Sequence, residues 1–122
     1  MDLPTPLRTE RYCTLSTTSR ISGRRHTAEL WFVPAEGGIH LLSGSGGLTQ
    51  WWMNLEAAEQ GVVRLAGRAW LARASFLGAA DPLRDEVLAA FHDKYDPAST
   101  DRRDEWRPAS LAHLVLGREL FD

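Results

Sequence analysis

From Tyr12 to Leu77 the chain runs as short strand-like stretches joined by turn residues, with one helical stretch set among them, and that order leaves few folds open. Tyr12–Thr18 is rich in Thr and Ser around apolar Cys13 and Leu15 and reads as a strand. Ser19-Arg20-Ile21-Ser22-Gly23 is a turn by composition. In Arg25–Val33, Thr27, Glu29, Trp31 and Val33 alternate with Ala28, Leu30 and Phe32, the period of a half-buried strand. Pro34–Gly38 makes a hairpin turn into Ile39–Ser43, and Gly67 makes another between Val62–Ala66 and Arg68–Leu77. Leu111–Leu116 is the last strand.

A helix is predicted from Thr49, a good N-cap, with Leu48 and Met53 spaced as a hydrophobic staple. Gly61 is its expected end. A second helix opens at Asp81-Pro82 and carries the apolar stripe Leu83, Val87, Leu88, Phe91 and Tyr95. Asp96–Pro108 is polar and reads as a loop. Six strands with short hairpins and two to three helices predict a mainly β (α+β) chain forming a closed or partly closed antiparallel barrel. The βαβ alternation of a parallel sheet is absent.

Length and composition agree with one domain spanning residues 1–122, its first ten residues the loosest. A chain this size buries roughly 67% of its unfolded surface, and 43% hydrophobic residues supply a core without metals or disulfides. No apolar run approaches the ~18 residues of a membrane span, and the N-terminal stretch lacks a signal-peptide core. The single cysteine, Cys13, excludes an intrachain disulfide and fits a reducing cytoplasm.

The net charge of −2 argues against a general nucleic-acid binder, yet it is unevenly spread. Residues 1–80 hold eight arginines against six acidic residues, and Arg20, Arg24 and Arg25 fall within six positions of one another. A local cluster in a nearly neutral chain suits a small anion better than a polyanion. The planar guanidinium donates two parallel hydrogen bonds to phosphate or carboxylate, and Ser22, His26 and Thr27 add donors beside it. A solvated turn would show the same residues. The run Ser43-Gly44-Ser45-Gly46-Gly47 lies between a strand and a helix start, where backbone N–H groups can approach an anion. It reads equally as a connector, and it is no dinucleotide fingerprint, since Thr49 stands where a third glycine is needed.

Trp51 and Trp52 leave a helix about 100° apart, so one can enter the core while the other walls a pocket. Trp31 and Trp70 sit on strands, where burial is the default. Glu29 lines a wet cavity or, more simply, the solvent face of the sheet. His26, His40, His92 and His113 show no metal-ligand spacing with one another or with Cys13, so no metal is expected. Ser45 is not in a nucleophile elbow, because Ser43 rather than glycine stands two residues before it. Any enzyme here draws its chemistry from a cofactor.

The ordered string carries more than composition does. Residues Thr17 to Phe32, the Ser43–Gly47 loop, and then Trp51-Trp52-Met53-Asn54-Leu55 on a helix together resemble the deazaflavin-dependent nitroreductase and quinone reductase family. The Gly61–Leu77 hairpin and the Asp81–Tyr95 helix follow in the family's order, so the resemblance covers about residues 12–95.

That resemblance implies a split β-barrel of the pyridoxamine-phosphate-oxidase-like class that uses coenzyme F-420, a hydride carrier, to reduce quinones, nitro compounds or similar acceptors. By position, the coenzyme's phosphate and acidic tail would meet Arg20, Ile21, Ser22 and His26, with Arg24 and Arg25 supplying charge alongside. Backbone at Thr27, Ala28, Glu29, Leu30 and Trp31, and at Leu42, Ser43, Gly44 and Ser45, would lie along the tail and ring. Gln50, Trp51, Trp52, Met53 and Asn54 would close the pocket from the helix. Ser43 or Ser45 would hydrogen-bond charge developing on the acceptor. FMN in the same fold, or a binding protein without turnover, are the alternatives. The implied partner is a small-molecule acceptor, and relatives occur as monomers and homodimers.

Overall fold

A computed structural model describes residues 2–44, 49–95 and 109–121. Its strands are β1 (Cys13–Thr18), β2 (Arg25–Leu30), β3 (Phe32–Ala35), β4 (Gly38–Ser43), β5 (Gln60–Leu65), β6 (Arg68–Leu77) and β7 (Ser110–Leu120). Helix α1 (Gln50–Ala58) precedes β5, and α2 (Arg84–Tyr95) follows β6. All seven strands join one antiparallel sheet in the order β2-β1-β5-β6-β7-β4-β3.

The two edge strands are neighbours in sequence, with Trp31 alone between them. Six inter-strand spacings would set the edges of a flat sheet roughly 29 Å apart. Two consecutive Cα steps span less than about 8 Å. The sheet must therefore curl until its edges meet at Trp31, and the result is a split β-barrel. Expectation and structure differ here: the single strand Arg25–Val33 is two, because the chain changes edges at Trp31.

Other differences have local causes. The hairpin turn is Glu36-Gly37 alone, since Pro34 and Ala35 continue β3 on a sheet edge that needs no proline N–H. Helix α1 ends on Glu59, left-handed at φ 59°, and not at Gly61. Gly61 lies inside β5, where a Cβ would stand 3.0 Å from both Leu15 Cδ1 and the Ser16 carbonyl. The Ala66-Gly67 turn has positive φ at both residues, 51° and 81°, matching the twist of a tight hairpin. Asp81 begins a turn rather than the helix: its Oδ1 accepts the Leu83 N–H and its carbonyl the Arg84 N–H. Leu83 is consequently exposed and drops out of the stripe. Strand β7 runs four residues past Leu116.

Residues inside the curl form one core, including Leu15, Phe32, Ile39, Leu41, Val63, Trp70 and Leu114, and α1 adds Trp51, Trp52 and Leu55. Leu3 and Leu7, around a 3-10 turn at Thr5–Leu7, seal it, so the stretch from Leu3 to Leu7 is tied down. Helix α2 covers the outer face through Val87, Leu88 and Phe91 against Val33 and Leu111. Among the described residues no helix is long and apolar enough to cross a membrane. The expected loop Asp96–Pro108 lies outside them, as does Leu48 of the staple.

Candidate ligand site at the arginine turn

Thr18 and Arg25 close the β1–β2 ladder, and the six residues between them form a self-bonded turn. Ser19 N–H donates to the Arg24 carbonyl at 2.7 Å, and Gly23 supplies φ 73°. Ser19 Oγ accepts the Ile21 and Ser22 N–H groups, both at 3.2 Å. The turn's own backbone is thereby satisfied, which leaves its guanidinium groups to point elsewhere.

They do so differently. Arg20 reaches α1: its backbone N–H and Nη1 donate to Asn54 Oδ1 at 3.2 and 3.1 Å, and Nη1 donates to Gln50 Oε1 at 2.9 Å. Gln50 and Asn54 are four apart and share a helix face, and Asn54 is buried. Arg20 thus clasps the turn to the helix. Arg24 and Arg25 are exposed, and neither guanidinium has a hydrogen bond or ion pair among the described residues. Ile21, exposed at 78%, contributes no polar group.

Beneath the turn, the inner face of the sheet carries two polar groups without partners. Thr17 and His26 are register partners on β1 and β2, so their side chains leave the sheet on the same side. Thr17 Oγ1 and His26 Nδ1 are both buried with no hydrogen bond among the described residues. Native interiors leave few such groups unpaired, and each marks strain, water or a ligand. A cavity of about 350 Å³ opens on the outer side of the same strand ends, where Ser16, Thr18, Arg25, Gln60, Val62 and Leu71 line it together with Thr17, and His26 does not. That is the low end of ligand sites, which run about 300–1,000 Å³, and suits an anionic group rather than a whole coenzyme.

Position along β2 decides the remaining strand residues. Ala28 and Leu30 turn toward the core, while Thr27 and Glu29 face outward and are exposed. Glu29 lies on the solvent face, beside Thr14. Thr27 Oγ1 is 3.2 Å from Ser16 Oγ. Trp31, at the corner, stacks on Tyr95 with ring centroids 4.3 Å apart and planes 3° from parallel.

At the other end of the candidate set, buried Ser43 places Oγ 3.2 Å from Thr49 Oγ1. Thr49 is the N-cap of α1 as expected, but its hydroxyl bonds Ser43 rather than a helix N–H. Leu42 packs toward α2, and Gly44 is exposed. Ser45, Gly46 and Gly47 lie outside the described residues.

Helix α1 divides the tryptophans. Both Trp51 and Trp52 are buried, edge to face at 5.7 Å, and Met53 is half-buried. Trp52 is two residues past Gln50, about 200° around the helix. It therefore faces away from the arginine turn, meets Phe76 edge-on at 5.1 Å, and lines a second cavity of about 410 Å³ with Glu56, Phe76 and Arg84. The structure brings Arg20, Gln50 and Asn54 together and places Trp52 on the opposite side.

No protein-family model and no curated protein matches the chain. Solved structures do. HutZ, the heme storage protein from Vibrio cholerae, is similar at 20% identity, with 95% of this chain and 89% of that chain covered and a TM-score of 0.76. An F-420 reductase is similar at 16% identity over 97% and 98% of the two chains, with a TM-score of 0.67. An FAD-binding protein from Mesorhizobium loti follows at 13% identity over 98% and 94%, with a TM-score of 0.66. Likeness at these identities is likeness of fold, and the fold is the pyridoxamine-phosphate-oxidase-like split barrel.

Sequence reasoning missed Thr17 and Gln60. A signal existed for Thr17, since it holds the same inward phase as Cys13 and Leu15, and a hydroxyl in an apolar row asks for a partner. Gln60 carried none, because it was hidden by reading the helix through to Gly61.

Proposed function

We propose that this protein is an oxidoreductase that binds the deazaflavin coenzyme F-420 and passes hydride to a quinone, nitro compound or similar activated acceptor. The observation that carries the reading is the pair of buried, partnerless polar atoms on the inner face, Thr17 Oγ1 and His26 Nδ1, at the strand ends whose turn carries two unengaged guanidinium groups, Arg24 and Arg25. The residues present fit an anionic coenzyme. Arg24 and Arg25 bind its phosphate or carboxylates, and Ser22 and Thr18 add hydroxyls. Thr17 and His26 supply the hydrogen bonds now unmade. Arg20, held by Gln50 and Asn54, positions the turn rather than touching the ligand.

The coenzyme, when bound, supplies a two-electron hydride, which spares the chain any nucleophile or metal of its own. The protein's part is to orient the acceptor and exclude water. Ser43, Ser45 or backbone N–H groups of the Gly44–Gly47 segment would hydrogen-bond the charge developing on the acceptor. Support for the cofactor class comes from the sequence resemblance together with a fold shared with an F-420 reductase and an FAD-binding protein.

Fluorescence titration with F-420 and with FMN tests the cofactor. Absorbance of the oxidised deazaflavin, followed with and without menadione, tests turnover. Binding of F-420 with acceptor-dependent reoxidation is expected. FMN binding in place of F-420 overturns the cofactor assignment and leaves an FMN-dependent protein of this fold. Tight F-420 binding without reoxidation across quinones and nitroaromatics overturns the enzyme and leaves a binding protein.

A further inference from the structure

On the outer face of the sheet, far along the strand order from the arginine turn, two histidines stand directly opposite each other. His40 on β4 and His113 on β7 are register partners, with ring centroids 5.0 Å apart at 45°. Partners so placed have Cβ atoms about 4.5–5.5 Å apart.

The backbone decides which nitrogen of each ring is free. His113 Nε2 lies 2.7 Å from the Glu36 carbonyl, and His40 Nδ1 lies 3.4 Å from the Ala112 carbonyl. A carbonyl only accepts, so those nitrogens carry the protons. His113 Nδ1 and His40 Nε2 then keep their lone pairs, and neither has a hydrogen bond among the described residues. Imidazoles that bind metal show this arrangement, with the far N–H donated to a carbonyl and the near nitrogen left basic. Glu86 of α2 and Asp81 just before it bring negative charge toward the His40 ring.

We propose that His40 and His113 form a two-histidine site for a divalent transition ion of the zinc class, with water completing its coordination. Zn–N bonds of about 2.0–2.1 Å allow one ion to join two rings whose centroids stand this far apart. Imidazole selects zinc, copper or nickel over magnesium and calcium. No third His, Cys, Asp or Glu joins the pair among the described residues, so the ion keeps open positions and binds less tightly than at four-ligand structural sites. Bound there, it cross-links β4 to β7, the seam that carries the second edge of the barrel.

The test is calorimetric titration of the tag-free protein with zinc chloride, with imidazole nitrogen NMR shifts read in parallel. One ion per chain should bind, shifting His40 Nε2 and His113 Nδ1 and leaving His26 unchanged. His40→Gln should weaken binding at least tenfold. His113→Ala should do the same, and where it lowers the melting temperature by losing the Glu36 contact, His113→Gln at 10 °C with a native circular dichroism spectrum serves instead. Zinc binding of unchanged affinity in both variants, or no binding up to 1 mM, would overturn the site.

Discussion

The Tyr95 hydroxyl, on the last residue of α2, accepts the Phe32 N–H at 2.9 Å, at the first residue of edge strand β3. The same oxygen lies 2.8 Å from the Arg11 carbonyl and 2.9 Å from the Phe32 carbonyl, and its single proton can serve one of them at a time. Lys94 Nζ donates to the Phe32 carbonyl at 2.9 Å. An exposed sheet edge invites pairing with another chain, and here the corner of that edge is occupied by side chains. Stacking of Trp31 on Tyr95 fixes the residue at which the chain crosses from one edge to the other.

Tyr95→Phe therefore keeps the stack but strands the Phe32 N–H. A buried donor left unpaired costs about 1–3 kcal/mol. Urea unfolding should show a loss in that range with an unchanged m-value. Stability equal to the parent's would mean that water replaces the hydroxyl and that the corner is held by stacking alone.

The two halves of the arginine turn should separate in experiment. Arg20→Ala leaves the residue 20 N–H on Asn54 but removes the guanidinium that holds both Asn54 and Gln50, and should lower the melting temperature by several degrees. The double variant Arg24→Ala, Arg25→Ala should leave melting nearly unchanged and weaken F-420 binding at least tenfold at low salt, since charge-assisted contacts are worth ~1.5–3 kcal/mol each. Unaltered affinity in the double variant would remove both residues from the site.

That division also shows what was legible in the sequence. Three arginines within six residues suited a small anion or a solvated turn alike, and the spacing of four between Gln50 and Asn54, thirty residues on, decided which arginine is already engaged. Alternation in Arg25–Val33 gave the strand, yet nothing marked its break, because Trp31 is neither glycine nor proline and the apolar phase runs on through Phe32 and Val33. Gly61 was misread for a related reason. A glycine can serve a positive φ or a close approach, and only the third dimension shows Leu15 and Ser16 pressed against it. The barrel itself was legible because hairpin spacing and one inserted helix leave little else.

Gly61→Ala tests that close approach. Its Cβ would meet Leu15 Cδ1 and the Ser16 carbonyl at 3.0 Å, and overpacking of this kind costs about 1–3 kcal/mol. The residue has no positive φ to lose, so any destabilisation by urea reports the packing. A neutral result would mean that β1 and β5 separate slightly without penalty.

Alkaline pH should weaken the fold through Cys13. Burial raises its thiol from 9.0 to about 12, so between those values the unfolded chain has released a proton that the native state retains. Stability contributed this way is complete below pH 9 and is lost as pH rises toward 12. Tyr95, raised from 10.0 to about 12 by burial, acts with the same sign. Lys94, lowered to about 8 by burial, acts with the opposite sign between about 8 and 10.5. Urea midpoints at pH 8, 9, 10 and 11 should fall most steeply above pH 10, and Cys13→Ala should flatten the slope whatever it does to the offset. Parallel curves for the two proteins would show that the thiol titrates normally.

The sharpest test of the ligand site sets stability against binding at one atom. Thr17 Oγ1 is buried without a partner, which an isosteric methyl would relieve. Burying a hydroxyl unpaired costs about 1–3 kcal/mol on mutational scales, so Thr17→Val should stabilise the ligand-free protein by a fraction of that. In the proposed site that hydroxyl serves the coenzyme. The same variant should therefore bind F-420 at least tenfold more weakly, because the ligand loses a buried hydrogen bond and gains a methyl in its place. Urea unfolding and fluorescence titration on one preparation read both quantities. A stabilised variant with full affinity would leave the hydroxyl as an unused defect of β1, and a destabilised one would show that ordered water already satisfies it.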